Sequence, residues 1–514
     1  MRRSRLSWCV LLLGAACHEA PAPAALATGA QAAAPLELPT AILYPKPKPP
    51  PARLGVLSTR VYVHARPTGT SPEIGALSLG NVVELGADKP QVAPDCDQGW
   101  VAIKPEGYVC ADSRVTRSPD THPLLSALHR HAGRFDRDSP YGYASSRLAP
   151  WYRRVPTTAE QRKSEGAHLD ALERAKTGRT PRALRGADLS PSRSPVPEIL
   201  ASGAVSPFAR HFEEPESALG GFVPARSSVA FVAEFSAAGR SFLLTHELYA
   251  IPKDRVAVQR PSTFHGVRLE RGTRLPLAFV RAADSPVLEL EEPAVRPASG
   301  SEVARTKLRA TGGNWERLSW VGLTGRVMNV GTRRYLQTRH DGQFIEDDYR
   351  AAVVRSEAPK GFELGTNEKW IDISIHRGTL VAYEGRRAVF ATLISPGIAG
   401  YKRTEAGTPA KHASPTGTFR MEWKHRSTTM SPDPERKSYY LSEVPWTQFF
   451  HMPFALHAAY WHDRFGEPKS GGCVNLSPAD AKWLFDFTLP QVPDEWHGVR
   501  SGGKRGPGTL VRVR

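Results

Sequence analysis

Cysteine is scarce in this chain, which has 5 among its 514 residues. No two of them are spaced as Cys-x-x-Cys, so the common zinc and dithiol motifs are excluded. Beyond the first residues, no stretch is long and apolar enough to cross a membrane. Acidic residues are fewer than basic ones: 51 Asp+Glu stand against 68 Lys+Arg, which gives a formal net charge of +17. Because the basic residues are scattered among Ala and Pro, this excess favours an acidic polymer or an anionic surface and argues against nucleic acid.

The length and composition predict several packed domains. A chain of 514 residues is too long for one hydrophobic core and favours two to four domains. Hydrophobic residues make up 40% and charged residues 23%, which is ordinary for globular proteins.

The N-terminus has the pattern of an export signal. A basic start precedes a mostly apolar run over residues 6–16, which is too short for a membrane-spanning helix. Residues 1–17 are therefore predicted to be a signal peptide. The residues before Cys17 resemble a lipoprotein-processing box, in which Cys17 would carry the lipid; ordinary cleavage near residues 22–24 is the alternative. Residues 18–52, rich in Ala and Pro, are predicted to be an extended tether.

The cysteines support export. Cys9 lies in the predicted signal, and Cys96 and Cys110 form a close pair that is expected to be a disulfide in an oxidising compartment. Apart from the possible lipid acceptor Cys17, this leaves Cys473 as a single spare thiol whose role needs an explanation.

Short β-rich runs separated by turn residues fill residues 53–116 and predict a small all-β barrel. The order of Arg66, Leu79-Gly, Gly-Trp100-Val and Gly-Tyr108-Val resembles a bacterial SH3 module. That resemblance implies recognition of cell-wall peptides or glycan; a structural spacer without a ligand is the alternative.

The middle of the chain is harder to interpret. Residues 117–215 are rich in Arg, Ser and Pro and are predicted to be a linker that contains a helix over residues 157–176. Residues 216–365 are predicted to be a β-rich region, with a hairpin formed by residues 229–235 and 241–245.

The last region, residues 366–514, contains the spare thiol in a reactive setting. Cys473 follows Gly471 and Gly472 and lies sixteen residues after His457. Glycines beside a cysteine allow backbone N–H groups to point at the group that the sulfur attacks. An upstream histidine can hold the thiol as a thiolate–imidazolium pair.

With Ser470 and Asn475, this segment resembles the signature of the L,D-transpeptidases, the YkuD-like family, which remodels bacterial peptidoglycan. A predicted opening meander over residues 369–394 and the Ser-Pro-Thr-Gly-Thr-Phe turn at residues 414–419 add to the resemblance. The family usually has Ser-His-Gly-Cys, and here Gly471 replaces the histidine. The resemblance implies a mainly β protein: a C-terminal mixed β sandwich or barrel with a short helix, in addition to the SH3-like barrel and the β-rich middle domain.

The resemblance also implies the catalytic roles. Cys473 would be the nucleophile and His457 the general base, with the backbone carbonyl of Ala458 orienting its ring. The N–H groups of Gly472 and Cys473 would stabilise the oxyanion. No cofactor and no metal is expected.

Four further residues are expected at the substrate: Tyr460, Trp461, Ser470 and Asn475, of which Asn475 also braces the loop. In the family, the acyl group of one peptidoglycan stem peptide passes through a thioester to the amine of another stem. With water as the acceptor, the protein would be a carboxypeptidase or endopeptidase.

Gly471 leaves two further alternatives open. Either the protein is active, with His462 or Lys469 supplying the lost positive charge, or it is a degenerate wall-binding protein. The expected partners are stem peptides, wall polymers through the SH3-like module, and a membrane only through a lipid anchor. The expected location is the periplasm or cell envelope.

Other interpretations of these residues fit less well. A lone cysteine can be a buried small hydrophobic residue. A zinc site could be formed by His451, His457, His462, Asp463 and Cys473, but their spacing matches no familiar ligand pattern. A papain-like hydrolase usually has its cysteine before its histidine, which is the reverse of the order here.

Overall fold

The computed structural model describes residues 51–87, 89–178, 181–201, 217–270, 272–291, 307–355, 367–405, 407–431 and 439–514. These residues all belong to one compact unit, Pro51–Arg514. The predicted signal, the lipidation site at Cys17 and nearly all of the predicted tether lie outside the described residues. Within the described ranges, no helix combines the length and the apolar character that crossing a membrane requires.

Short strands alternate with turns in the first region, as the sequence predicts. They are β1 (Arg53–Val56), β2 (Val61–His64), β3 (Glu73–Leu77), β4 (Val82–Glu84), β5 (Gln91–Ala93), β6 (Cys96–Ala102), β7 (Tyr108–Cys110) and β8 (Val115–Thr116). Alternate side chains face inward, and Val61, Val63 and Val101 are at most 2% exposed. A disulfide joins Cys96 at the start of β6 to Cys110 at the end of β7.

The second region is folded where the sequence predicts a linker. Its elements are α1 (Pro123–Arg130), β9 (Gly142–Ser146), β10 (Ala149–Tyr152), α2 (Thr158–Lys176), α3 (Glu198–Ala201), β11 (Leu219–Val223), β12 (Ser228–Ala237), β13 (Arg240–Thr245), β14 (Ala250–Pro252) and β15 (Val256–Val258). They form a sheet in the order β11-β10-β14-β13-β12-β9-β15. The predicted hairpin β12–β13 and the predicted helix α2 are confirmed.

The linker prediction over residues 117–215, and with it the boundary at residue 215, is wrong. Strands β9 and β10 lie inside a sheet whose other strands follow that boundary, and the inward Tyr143 and Tyr152 are at most 1% exposed. Aromatic burial on the sheet therefore outweighs the local Pro and Ser content, which by itself favours a loop.

The third region forms a separate sheet and completes the predicted β-rich middle. Its strands are β16 (Val267–Arg268), β17 (Leu277–Val280), β18 (Pro286–Leu290), β19 (Leu308–Asn314), β20 (Trp320–Val330), β21 (Arg333–Thr338), β22 (Gln343–Glu346) and β23 (Ala351–Val354). The sheet order is β19-β18-β22-β21-β20-β17-β23, and β16 joins a different sheet. The predicted region 216–365 therefore contributes to three sheets.

The C-terminal region is a mixed β sandwich with one short helix. Its elements are β24 (Lys369–Ser374), β25 (Thr379–Glu384), β26 (Arg387–Leu393), β27 (Gly417–Arg420), β28 (Trp423–Met430), β29 (Leu441–His451), β30 (Phe454–Ala458), β31 (Val474–Leu476), α4 (Pro478–Phe487), β32 (Gly498–Arg500) and β33 (Leu510–Val513). One sheet has the order β16-β26-β25-β24-β33-β27. The other contains β31-β30-β29-β28-β32. Between them lies a core that includes Ile371, Leu380, Trp446, Leu456 and Leu484.

The second of these sheets continues into the first region, because β32 pairs with β3. The full order is β31-β30-β29-β28-β32-β3-β2-β7-β6-β5. The first region is mainly β, as expected, but the expected small SH3-like barrel does not close among the described residues, and β3 pairs with β32 of the C-terminal region. Trp496, just before β32, is fully buried in the apolar core of the first region.

Candidate active site

Parallel pairing of β30 with β31 brings the predicted nucleophile and base to one face of the sheet. Leu456 pairs with Val474, and His457 pairs with Asn475. Side chains alternate along a strand, so Cys473, directly before β31, faces the same side as Asn475 and His457. The backbone N–H of Ala455 bonds to the Cys473 sulfur. Within this described part of the chain, the thiol makes no hydrogen bond to the imidazole.

The ring of His457 is held in one tautomer. Its Nδ1 lies 3.0 Å from the carbonyl oxygen of Ala458, so the Nδ1–H donates there and Nε2 keeps its lone pair. This is the contact that the resemblance implies. His457 is 3% exposed, and burial lowers its pKa to about 4. The ring is therefore a neutral base at pH 7.

The pKa of the Cys473 thiol is shifted in the direction that favours the neutral form. Burial raises its pKa, and the N–H of Ala455 opposes this only in part. The raised thiol pKa and the lowered imidazole pKa both disfavour the expected thiolate–imidazolium pair in the free protein. A neutral thiol next to a neutral imidazole can still react by general-base proton transfer when a substrate arrives.

The loop before Cys473 corrects two of the predicted roles. The N–H of Gly472 donates to Oγ of Ser470 at 3.0 Å, so it is not free to stabilise an oxyanion. The hydroxyl of Ser470 in turn donates to the carbonyl oxygen of Cys473, so Ser470 braces the loop instead of contacting substrate. Gly472 has a φ of +135°, and a Cβ there would lie 2.7 Å from the ring of Phe454. Its contribution is a backbone conformation that a side chain would prevent.

The predicted turn at residues 414–419 proves to hold this loop. Ser414 Oγ donates to the carbonyl oxygen of Gly472 at 2.9 Å and accepts from the N–H of Gly397 at 2.9 Å. The N–H of Ile398 donates to the carbonyl oxygen of Ser470 at 3.0 Å. The Cys473 loop is therefore held by two segments: the one that contains Gly397 and Ile398, and the turn that begins at Ser414. The sequence motif alone did not reveal this role.

A histidine that the sequence analysis missed lies next to Gly471. A Cβ built on Gly471 would have one neighbour within 4 Å, Nδ1 of His412 at 3.8 Å. His412 is exposed, has a φ of +64°, and its carbonyl oxygen accepts from the N–H of Ala399 at 3.1 Å. The imidazole of His412, which comes from another loop, thus lies close to Gly471, the position at which the resemblance expects a histidine. No local pattern around His412 indicates this, because the contact depends on the path of a long loop.

His462 does not supply a positive charge, contrary to one of the sequence-based alternatives. Burial, aided by the charge of Lys469, lowers the pKa of His462 to about 4. Its Nδ1 accepts from the N–H of Arg464 at 3.2 Å, so a neutral ring carries its proton on Nε2. Nδ2 of the Asn475 amide is placed 3.0 Å from this Nε2; since Nε2 carries the proton, the amide must be turned so that its oxygen accepts there. The other end of that amide is buried without a hydrogen-bond partner among the described residues.

The two predicted aromatic residues have different positions. Tyr460 is 1% exposed, stacks on Tyr143 at a centroid distance of 3.6 Å, and donates to the carbonyl oxygen of Ser442 at 2.8 Å. It therefore joins two regions of the core and has no free face for a substrate, which corrects its expected role. Trp461 is half-buried, with its ring 5.8 Å from that of His457, and remains positioned to meet a ligand.

The fold and the site thus define a class: a mixed β sandwich that presents a cysteine and a histidine from adjacent parallel strands. Residues 368–513 match the YkuD family model, the L,D-transpeptidase catalytic domain, which confirms the resemblance for this part of the chain. The SH3-like assignment stays a prediction.

Several of the solved structures similar to this chain are described as L,D-transpeptidases. One from Stackebrandtia nassauensis has 21% identity and a TM-score of 0.21, with 31% of this chain and 60% of that chain covered. One from Xylanimonas cellulosilytica DSM 15894 has 22% identity and a TM-score of 0.21, with 30% and 63% covered. One from Mycobacterium smegmatis has 19% identity and a TM-score of 0.21, with 37% and 81% covered. The chain therefore spans about three-fifths of the length of the first two. No curated protein matches it.

Proposed function

We propose that this protein is an exported L,D-transpeptidase that cross-links or remodels peptidoglycan through a thioester on Cys473. The observation that carries the proposal is the pairing of β30 with β31 inside the matched domain, which sets Cys473 on the same face as a neutral, oriented His457. A nucleophile beside a base that a third group orients is the usual arrangement for covalent acyl transfer.

In the proposed reaction, the sulfur attacks a stem-peptide carbonyl while His457 Nε2 takes the thiol proton. A C–S bond forms and the C–N bond breaks, and the same proton passes to the leaving amine. An amine of a second stem then attacks the thioester, forming a new amide and returning a proton to the sulfur through His457. The N–H of Cys473 is the proposed oxyanion donor, since Gly472 is engaged by Ser470.

His412 completes this proposal. It presents the imidazole that Gly471 lacks and lies at the outer side of the Cys473 loop. Export is part of the proposal as well, and the Cys96–Cys110 disulfide supports an oxidising compartment. The lipid anchor at Cys17 is proposed from the sequence alone, and intact mass of the membrane-extracted protein tests it.

The experiment is intact-mass spectrometry of the full exported chain with and without a carbapenem. The strained β-lactam amide is an acyl donor for an activated thiol, and ring opening retains its whole mass on the protein. We expect one adduct on the wild type and none on Cys473→Ala. Thermal unfolding of Cys473→Ala should match the wild type; if this variant unfolds instead, Cys473 is a core residue and the proposal fails.

A degenerate wall-binding protein is the second candidate, favoured by the raised pKa of the thiol and by the occupied N–H of Gly472. It predicts no carbapenem adduct on the wild type and no change in muropeptides after incubation. Analysis of muropeptide products also separates transfer from hydrolysis, since only transfer yields cross-linked dimers.

A further inference from the structure

A cleft of about 770 Å³ lies beside the active site and includes parts of the chain outside the matched domain. Its walls are residues 259–265 and residues 316–320, and its floor is formed mainly by residues 461–463. The floor follows strand β30, which carries His457. Since both walls precede residue 368, the cleft belongs to this chain's own arrangement of domains and not to the matched domain alone.

The floor of the cleft connects it to the catalytic residues. The ring of Trp461 lies 5.8 Å from that of His457. His462 is bonded to the amide of Asn475, which stands two positions after Cys473. A ligand in the cleft would therefore approach the reacting thioester from the side of the base.

The charged groups of the cleft include one free cation and one free anion. Arg260 is exposed and has no hydrogen-bond or ion-pair partner among the described residues, and the same holds for the carboxylate of Glu316. Arg317, in contrast, is held by Asp463 through a carboxylate contact of 3.0 Å and a backbone contact of 2.8 Å. The cleft thus keeps one charge of each sign available to a ligand.

Two further groups favour a peptide in this cleft. The side-chain oxygen of Gln259 is buried and has no hydrogen-bond partner within the described part of the chain, so it needs an N–H donor. Trp320 is 40% exposed at the rim and offers an aromatic surface. A peptide supplies both N–H donors and apolar side-chain surface.

We propose that this cleft is the acyl-acceptor site and takes a peptide that bears a free amine next to a carboxylate. This inference rests on the proposed function. Arg260 pairs with the carboxylate, Glu316 and Gln259 accept from N–H groups of the peptide, and Trp320 covers it. The amine nitrogen attacks the thioester carbonyl, a C–N bond forms, the C–S bond breaks, and the amine proton passes through His457 to the sulfur.

The test separates the two half-reactions in the full-length protein. Arg260→Ala, Glu316→Gln and Trp320→Ala are compared with the wild type, and Arg326→Ala serves as control because Arg326 is an exposed arginine outside the cleft on the strand of Trp320. We expect the cleft variants to form the carbapenem adduct at wild-type rate. With a disaccharide-tetrapeptide substrate, their ratio of cross-linked dimer to hydrolysed tripeptide should fall by about tenfold, the effect of losing one charge-assisted contact.

Each other outcome overturns the inference in a recognisable way. An unchanged dimer-to-tripeptide ratio would show that the acceptor binds elsewhere. Equal loss of adduct and dimer would assign the cleft to the donor or to folding. If the wild type forms no adduct at all, the proposed function itself fails, and the acceptor site with it.

A binding measurement gives a second readout that needs no turnover. The probe is a stem tripeptide that ends in a diamino acid, titrated into full-length Cys473→Ala while tryptophan fluorescence is followed. Binding should change the emission and should weaken about tenfold when Arg260→Ala is added. A tripeptide whose side-chain amine is acetylated should bind more weakly than the free amine; equal binding would contradict the roles of Glu316 and Gln259.

Discussion

At the scale of single residues, burial shifts the pKa values of the two groups that are proposed to react. The pKa of His457 falls to about 4 and the pKa of Cys473 rises, in each case chiefly because the charged form is desolvated. The charges of an ion pair would have to form inside the same enclosed face, next to a single N–H from Ala455. Under the proposed mechanism, His457 is an oriented base that takes the thiol proton only when a substrate carbonyl reaches the sulfur.

This resting state predicts the pH dependence of thiol alkylation. His457 is neutral at any pH well above 4, so it does not change charge between about pH 6 and pH 9, whereas the Cys473 thiolate fraction grows about tenfold per pH unit. We expect the rate of reaction with iodoacetamide to rise throughout this interval without a plateau. Intact mass against time at each pH measures it, with Cys473→Ala as control. A constant rate across neutral pH would instead identify a preformed thiolate–imidazolium pair.

The place of His412 next to Gly471 predicts a loss and its rescue. We expect His412→Ala to lower kcat/KM for dimer formation by about a hundredfold or more, the range for a positioned imidazole. Adding Gly471→His should restore most of it, because a Cβ at Gly471 has only an ordinary contact and its backbone is not left-handed. Lys411→Ala, an exposed neighbour, is the control. If the double variant stays as slow as His412→Ala, the two imidazoles are not equivalent.

The arrangement of the candidate catalytic pair could be predicted from the sequence because it depends on the backbone of one short segment. Cys473, His457 and the carbonyl of Ala458 meet through a single strand pairing. The roles of Ser470 and Gly472 could not be predicted, since the same residues can either face a substrate or bond to each other, and only the loop conformation decides. His412 required the tertiary fold.

At the scale of single elements, helix α4 has one end whose capping residues are local in sequence and contacts from distant residues that the sequence did not predict. It is the predicted short helix, and it begins with a Ser477 cap followed by Pro478, a local pattern that favours a helix start. Its acidic residue, Asp480, is also buried against the N–H of Gly266 at 2.7 Å. At the other end, Lys424 donates to the carbonyl oxygens of Phe485 at 2.6 Å and Thr488 at 2.8 Å. The local sequence is enough to predict the Ser477 cap, which precedes the helix directly. It does not predict the Lys424 cap, which comes from the distant strand β28.

Lys424 predicts a pH-dependent contribution to stability. Burial lowers its pKa to about 7 from an unfolded value of 10.5, so between these values the unfolded chain binds more protons and the stability due to this residue rises with pH. Below pH 7 both states are protonated and the contribution is constant. We expect the wild type to gain up to about 1.4 kcal/mol per pH unit over Lys424→Met in this window.

Denaturant unfolding at about pH 7 and pH 9 measures this difference. Lys482→Met is the control, since Lys482 is a partly exposed lysine of α4, the helix whose end Lys424 caps, and bonds to Asp486. A difference that is the same at both pH values would show that Lys424 keeps an ordinary pKa in the folded protein.

Other elements could be predicted where neighbouring residues in the sequence are enough to determine the secondary structure, and were missed where distant partners determine it. Helix α2 begins with a complete capping box between Thr157 and Glu160, which the sequence pattern contains. Strands β9 and β10 were missed because glycine, serine and proline are poor strand formers, and their place in the sheet comes from partners that follow much later in the chain.

For the whole molecule, the pairing of β3 with β32 makes the first region part of the catalytic sheet. Gly75 and Ala76 pair with Val499 and Gly498. A Cβ at Gly75 would lie 2.1 Å from the ring of Trp496, so the glycine is needed for this close approach. The backbone hydrogen-bonding groups at the facing edges of β3 and β32 pair with each other, which favours a fixed arrangement over an independently moving module.

This arrangement predicts that Trp496→Ala weakens both regions together. The indole is fully buried, and its Nε1–H donates to the carbonyl oxygen of Lys104 at 3.0 Å, so its removal leaves a cavity between the first region and the catalytic domain. We expect a loss of about 3–5 kcal/mol in the free energy of unfolding. Hydrogen exchange should accelerate in β2 and β3 and also in β28 and β32. Val92→Ala, at a 92% exposed side chain of the same region, is the control and should change neither. Faster exchange confined to the first region would show that it folds independently and that the shared sheet does not couple the two.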